Sequence, residues 1–284
     1  MFSGRKLKNF FRQISPNAID YLQRLLGKKD KTYAGEFSQL KEILIQLGGP
    51  KDFKFVDIGA GDGFNMSVAW PLSRQFNATG LLIEPNQFQL NKARNLYKKR
   101  QTFSYSSDFI TPVNVFQVIS DFGFTDAFYV KIDIDSYDLE IMRSLVLGGI
   151  KPKILSIEIN ELFPPPIRFE MRYIKNQPMS TAPLFGCSLQ SVYEFASRNG
   201  YFLHSLAFNN AFFILEDCLD FHTDFRPLSP NEAYEDGFLN REWRDLFPWD
   251  VKFEDWLTKS PLELLQVLRG SPDFDESVFL LSED

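Results

Sequence analysis

Three glycines two residues apart, Gly59, Gly61 and Gly63, follow the apolar run FKFVDI and its acid, Asp57. Glycine at such places lets a backbone turn sharply and come close to a ligand. The spacing is not the dinucleotide fingerprint G-x-G-x-x-G, because position 64 is Phe64. The phosphate loop G-x-x-x-x-G-K-[ST] is missing as well. Asp57, near the end of its run, can accept hydrogen bonds from a cationic amino group, which suits an amino-acid ligand better than a pyrophosphate. Glu84 closes the next apolar run, GLLIEP, and an acid there can bond both hydroxyls of a ribose.

A second group of acids lies further along. Asp133 stands near the end of the run AFYVKIDI and Asp135 directly after it, and Glu158 and Asn160 end KILSIEIN. Strand residues two apart share a face, so Asp133 pairs with Asp135 and Glu158 with Asn160. Three carboxylates and an amide together have three chemical uses. One acid can act as general base on a hydroxyl. The set can hold a hard cation such as Mg²⁺, which takes oxygen ligands and acidifies a bound hydroxyl. The acids can also bind a polar substrate directly, or serve structure alone. Like charges in proximity raise at least one pKa, which suits a base near neutral pH.

The elements that must position these residues follow from periodicity. Strands are expected at 53–58, 80–85, 102–106, 127–134 and 153–160, with helices at 64–76, 86–99, 112–122 and 136–147 between them. Such alternation gives a parallel, doubly wound α/β sheet, which binds ligands over the carboxyl ends of its strands. A helix at 188–199 and strands at 201–208 and 211–215 follow. Asn209-Asn210 between those strands predicts a tight antiparallel hairpin at the sheet edge. Residues 161–183, with Pro164-Pro165-Pro166, break the rhythm and read as an irregular lid. The divisions are 1–50, an N-terminal helical segment; 51–216, the α/β domain with its lid; and 217–284, an acidic aromatic extension read as helical.

Charge separates these parts. The net charge of −6 combines +5 in residues 1–50, from nine Lys/Arg and four Asp/Glu, with −11 in 217–284, from six and seventeen. The acidic total argues against broad nucleic-acid binding. Two cysteines, Cys187 and Cys218, fit free thiols in a reducing compartment, and no apolar run spans a bilayer, so a cytoplasmic protein is expected. The basic amphipathic pattern before residue 27 suggests two short helices that could touch a membrane surface weakly.

With these residues in view, VDIGAGDG and LLIEP make the chain resemble the class I S-adenosylmethionine-dependent methyltransferases. The likeness covers about 51–216 and implies a Rossmann-like, seven-stranded, mostly parallel sheet with an antiparallel edge hairpin. It implies that Asp57, Gly59, Ala60 and Gly61 surround the methionine part of S-adenosyl-L-methionine, that Glu84 holds the ribose, and that Asp108 and Phe109 contact the adenine. FITPVNVFQVI, VKIDIDSYDLEIM and SIEIN narrow the resemblance to FkbM-like methyltransferases, although Asp135-Ser136-Tyr137-Asp138 replaces their glycine-containing turn. That implies O-methylation of a sugar, glycan or natural product, with Asp133, Asp135, Glu158 and Asn160 as catalytic candidates. Alternatives are N- or carboxyl-methylation, and a non-catalytic binding protein of the same fold. Arg168 and Arg172 on the lid could grip an anionic acceptor, and His204 joins them as a substrate-binding candidate.

Overall fold

The computed structural model describes residues 31–50, 52–65, 67–175, 183–218, 225–242 and 250–282. The two helices expected before residue 27, with their membrane contact, lie outside these residues, as does part of the lid, 176–182. No described helix is long and apolar enough to cross a membrane.

β1 (Lys54–Ile58) runs parallel to β2 (Thr79–Ile83) on one side and β4 (Tyr129–Ile132) on the other. β3 (Phe103–Ser106) extends the sheet beyond β2, and β5 (Ile154–Glu158) beyond β4. An antiparallel hairpin of β7 (Tyr201–Ala207) and β8 (Asn210–Leu215) then pairs with β5 through β8. The order β3-β2-β1-β4-β5-β8-β7 gives the expected Rossmann-like α/β sheet of seven strands with antiparallel edge strands. Between the parallel strands lie α2 (Ala69–Gln75), α3 (Gln87–Tyr97), α4 (Val115–Asp121) and α5 (Asp138–Leu147).

Both sheet faces are buried, and the strand alternation sorts side chains between them. Val56, Ile58, Val130, Ile132, Leu155 and Ile157 pack with α4 and α5. Phe55, Tyr129 and Ile154 face the other way, toward α1 (Lys31–Gln46) and α2. α1 docks through Phe37, Leu40, Ile43 and Leu44, a helical stripe whose members are each buried. Each such burial contributes ~1.5–3 kcal/mol before entropy is counted. Asp57, Lys131 and Asp133 share the parity of Phe55 and Tyr129, so they point to the α1 side.

The structure departs from expectation in three places. The helix expected from 64 starts at Ala69, because Asp62 Oδ1 accepts from the backbone N–H groups of Phe64 and Asn65 and holds a turn there. The hairpin turn is Phe208-Asn209 rather than Asn209-Asn210. Phe208 takes a left-handed φ of 59°, fixed by its N–H to Gly237 O at 3.1 Å. The lid is not wholly irregular: it contains β6 (Arg168–Met171), paired antiparallel with β9 (Phe279–Ser282) of the extension. The extension is therefore helical only in part. Its α7 (Pro230–Tyr234) and α8 (Pro261–Arg269) each start with a capping box, Ser229 with Glu232 and Ser260 with Glu263. α8 packs Leu264, Leu265 and Leu268 against Phe163, Phe169 and Phe279, a small core of its own.

Candidate active site

A cavity of about 820 Å³ opens over the carboxyl ends of β1, β2 and β4. Gly59, Gly61, Glu84 and Phe109 line it, together with Asp133 and Asp135. It lies where an open α/β sheet takes its ligands.

The glycine turn is shaped by its neighbours. Gly59 has φ +86°, and a Cβ there would stand 1.7 Å from the carbonyl oxygen of Asp133. Glycine at 59 thus lets the ends of β1 and β4 meet, quite apart from any ligand. Gly61, at φ +54°, meets nothing within 4 Å and faces open space. Its N–H donates to Glu84 Oε2 at 2.9 Å, while Asn86 N–H donates to Oε1 at 2.7 Å. Both oxygens are fastened, and each retains acceptor capacity toward the cavity.

Of the other cofactor candidates, Phe109 lines the cavity, but Asp57, Ala60 and Asp108 do not. Asp57 is 1% exposed, and Oδ2 accepts from the Ser67 hydroxyl at 2.9 Å. Burial raises its pKa, with Lys131 and Ser67 opposing. Asp108 turns back to Ser106, whose hydroxyl it binds.

Beneath the cavity is a buried charged group. Lys131 Nζ is 3.0 Å from Glu36 Oε1 and 3.1 Å from Asp133 Oδ2, and Lys131 stands beside Asp57 in the strand register. Burial opposes its charge, but Glu36, Asp133 and Asp57 together outweigh that and hold it firmly protonated. Burial pushes the Glu36 carboxyl up to about 7, against the pull of Lys131. Neither Glu36 nor Lys131 was singled out in the sequence. Lys131 was legible as the residue two before Asp133 on the same face.

The expected acid group does assemble in part. Oxygens of Asp133, Asp135 and Glu158 lie within 4.8 Å of one another. Glu158 is 8% exposed; Oε1 accepts from Asn209 at 2.7 Å, and Oε2 has no hydrogen-bond donor around it. Burial raises its pKa well above the ordinary carboxyl range, and the charges of Asp133 and Asp135 add to this. Asp135 is raised too, by burial and then by Asp133, while its hydrogen bond with Glu158 acts in the opposite direction. Their oxygens lie within 4.8 Å, so a charge on one carboxyl disfavours a charge on the other. Asp135 has a left-handed φ of 54°. Asp138 braces that turn by accepting from Ile134 N–H at 2.8 Å and Ser136 N–H at 2.9 Å. Burial pushes Asp138 up to about 7.

Asn160 does not face the cavity. It donates to the carbonyls of Pro183 and Phe185 at 2.8 and 3.0 Å, and accepts from Leu162 N–H. It therefore ties down the end of the lid. The three substrate-binding candidates do not line the cavity either. Arg168 binds Glu194 on α6 (Leu189–Arg198), at 2.6 Å. Arg172 is held by the extension, its N–H donating to Val278 O at 2.8 Å. His204, in edge strand β7, meets Ser205 and the edge of Phe225, and burial lowers its pKa to about 4. The lid reaches the cavity instead through Met171, Tyr173, Ile174 and Lys175. Tyr173 packs edge-on against Tyr137 at 4.9 Å, and the Tyr137 hydroxyl donates to Ile110 O at 2.9 Å.

The three carboxyls satisfy the donor chemistry of a hard divalent cation, since all supply oxygen and one buried oxygen lacks a donor. Glu84 and the glycine turn satisfy that of a nucleoside carrying an amino acid.

No protein-family model matches the chain, and no curated protein matches it in sequence. Solved structures do resemble it. A precorrin-6y C5,15-methyltransferase from Geobacter metallireducens GS-15 is 18% identical over 60% of this chain and 83% of its own, with a TM-score of 0.38. A SAM-dependent methyltransferase from Geobacter sulfurreducens, in complex with S-adenosyl-L-homocysteine, is 15% identical over 58% and 64%, with a TM-score of 0.36. The bifunctional kinase-methyltransferase WbdD is 15% identical over 70% and 42%, with a TM-score of 0.43. The chain thus spans less than two thirds of the latter two.

Proposed function

We propose that the chain transfers a methyl group from S-adenosylmethionine to an oxygen, a hydroxyl of a sugar, glycan or natural product. The observation that carries this reading is the pairing of two features: Glu84 fastened across a left-handed glycine turn, and on the far side of the same cleft Asp133 and Asp135, with an oxygen of buried Glu158 within 4.8 Å of theirs. When bound, the cofactor supplies a methyl group already activated on a sulfonium. The chain must hold it, align the acceptor and remove a proton.

Glu84 accepts from the ribose hydroxyls with its remaining lone pairs. Gly59 and Gly61 leave room for the methionine part, with Asp57 supporting the turn from behind. Phe109 flanks the base. Burial raises Glu158 furthest from the ordinary carboxyl range, so in this reading it keeps its proton and Asp135 carries the charge. Asp135, on the cavity side, takes the hydroxyl proton as the new O–C bond forms. A buried base of this kind favours an oxygen acceptor over a neutral amine, which brings its own lone pair. Asp133, Asp135 and Glu158 would instead hold Mg²⁺ if one binds. Those carboxyls would bind it deprotonated, and the chemistry it would supply is a more acidic acceptor hydroxyl.

Calorimetry with S-adenosylhomocysteine tests the cofactor assignment. Binding to the wild type and at least about tenfold weaker binding to Glu84→Ala are expected, as for loss of a paired charged acceptor. Unchanged affinity in Glu84→Ala refutes the ribose contact. Titration with Mg²⁺ tests the cation: proton release on binding, lost in Asp135→Asn, is the expected result, and no heat of binding removes the metal.

A further inference from the structure

The charged group beneath the cleft brings α1, which lies outside the sheet, into the site. Glu36 and Lys131 are 6% and 2% exposed, so water screens neither. Asp133, with its side chain 25% exposed, is the member that reaches the cavity. One ammonium therefore contacts two carboxylates, one sealed and one facing the cleft. Without Glu36, the ammonium of Lys131 would stand against Asp133 and Asp57 alone, with one negative charge fewer around it. With Glu36 on the other side of the ammonium, Asp133 keeps a negative potential toward the cavity. In surroundings of low dielectric constant such a charge acts over several ångströms.

Resting on the methyl-transfer reading, we propose that Glu36 is a positioning residue which, through Lys131, makes the cleft prefer the cationic sulfonium cofactor over its neutral thioether product. The two molecules differ only by the methyl group and the positive charge on sulfur. A fixed negative potential is the feature that tells them apart. The preference loads the cleft with cofactor and lets the product leave.

The test is the ratio of affinities for S-adenosylmethionine and S-adenosylhomocysteine, measured by calorimetry on the full chain at a pH above the value of about 7 to which burial raises Glu36, so that its charge is present. Glu36→Gln keeps the shape and removes the charge. It is expected to lower the ratio by about 3- to 10-fold, the scale of one charge acting at several ångströms. The double variant Glu36→Gln/Lys131→Met removes both partners and is expected to restore the ratio to the wild-type value or above. Glu42→Gln, an exposed change on the same helix, should leave it unchanged. A simple packing role for Glu36 would weaken both ligands equally. An unchanged ratio in Glu36→Gln overturns the proposal. If that variant melts early and cannot be titrated, the double variant, which leaves no unpaired buried lysine, decides: a ratio below wild type overturns the proposal. If neither ligand binds the wild type, the methyl-transfer reading itself falls, an outcome distinct from equal ratios.

Discussion

The acids under the cleft and the acids beside it differ in what neutralises them. Under the cleft, Glu36 and Asp133 contact the ammonium of Lys131 at 3.0 and 3.1 Å. Beside it, carboxyl faces carboxyl. Asp135 meets Glu158. Glu161, 3% exposed, meets Asp250 of the extension, and its backbone carbonyl accepts from the Tyr234 hydroxyl. Burial is the leading cause that raises Glu158, Glu161 and Asp250, and neighbouring acids add to it for the two glutamates. A cation within reach opposes the rise that burial imposes on an acid, whereas a neighbouring acid adds to it. The first arrangement makes an electrostatic field and the second makes a base or a pH-sensitive joint.

Breaking the ammonium side should have the largest effect. Lys131→Met leaves buried carboxylates without their cation and should cost ~3–5 kcal/mol of stability, as when one partner of a buried ion pair is removed. Urea unfolding measures it, and a loss near zero would mean that these acids also carry protons. The carboxyl-against-carboxyl side sharpens the comparison through pH. The folded pKa of Glu161 is raised, so its contribution is complete below its ordinary value near 4.5 and is lost as pH rises toward the folded value. Between pH 5 and 8 the wild type should lose stability that Glu161→Gln does not, a difference read from urea unfolding of both proteins across that range. Parallel curves for the two proteins would show that the folded pKa of Glu161 is not raised. The smallest effect belongs to an exposed pair. Lys54 and Asp126 lie 2.7 Å apart on the surface, and Asp126→Asn should change stability by only ~0–1 kcal/mol and less in high salt.

The parallel half of the molecule was legible because its signals are local. β1, β2 and β4 are short apolar runs each followed by a helical pattern, and the glycine turn and Glu84 stand at the strand ends where such folds bind ligands. The period of two brought Asp133 and Asp135 to the cleft. It failed for Asn160, because the chain leaves β5 at Glu158 and folds into the base of the lid. β6 was hidden because its partner, β9, is supplied from more than a hundred residues downstream. The starts of α7 and α8 were not singled out, although Ser-Pro-Asn-Glu and Ser-Pro-Leu-Glu each carry a capping box with proline at the first helical position. Arg168, Arg172 and His204 were singled out for their chemistry alone. Nothing local told that Glu194, the extension and Phe225 would engage them. Glu36 was equally opaque, since only the docking of α1 brings it to Lys131.

The central claim is that this cleft holds S-adenosylmethionine, and photolabelling tests it most directly. Ultraviolet irradiation of the full chain with methyl-labelled S-adenosylmethionine, followed by peptide mapping, identifies the residues in contact. The predicted result is label in peptides containing Gly59–Gly61, Glu84, Phe109 or Asp133–Tyr137, suppressed by excess S-adenosylhomocysteine. Label confined to other peptides, or label that the excess does not suppress, would contradict it.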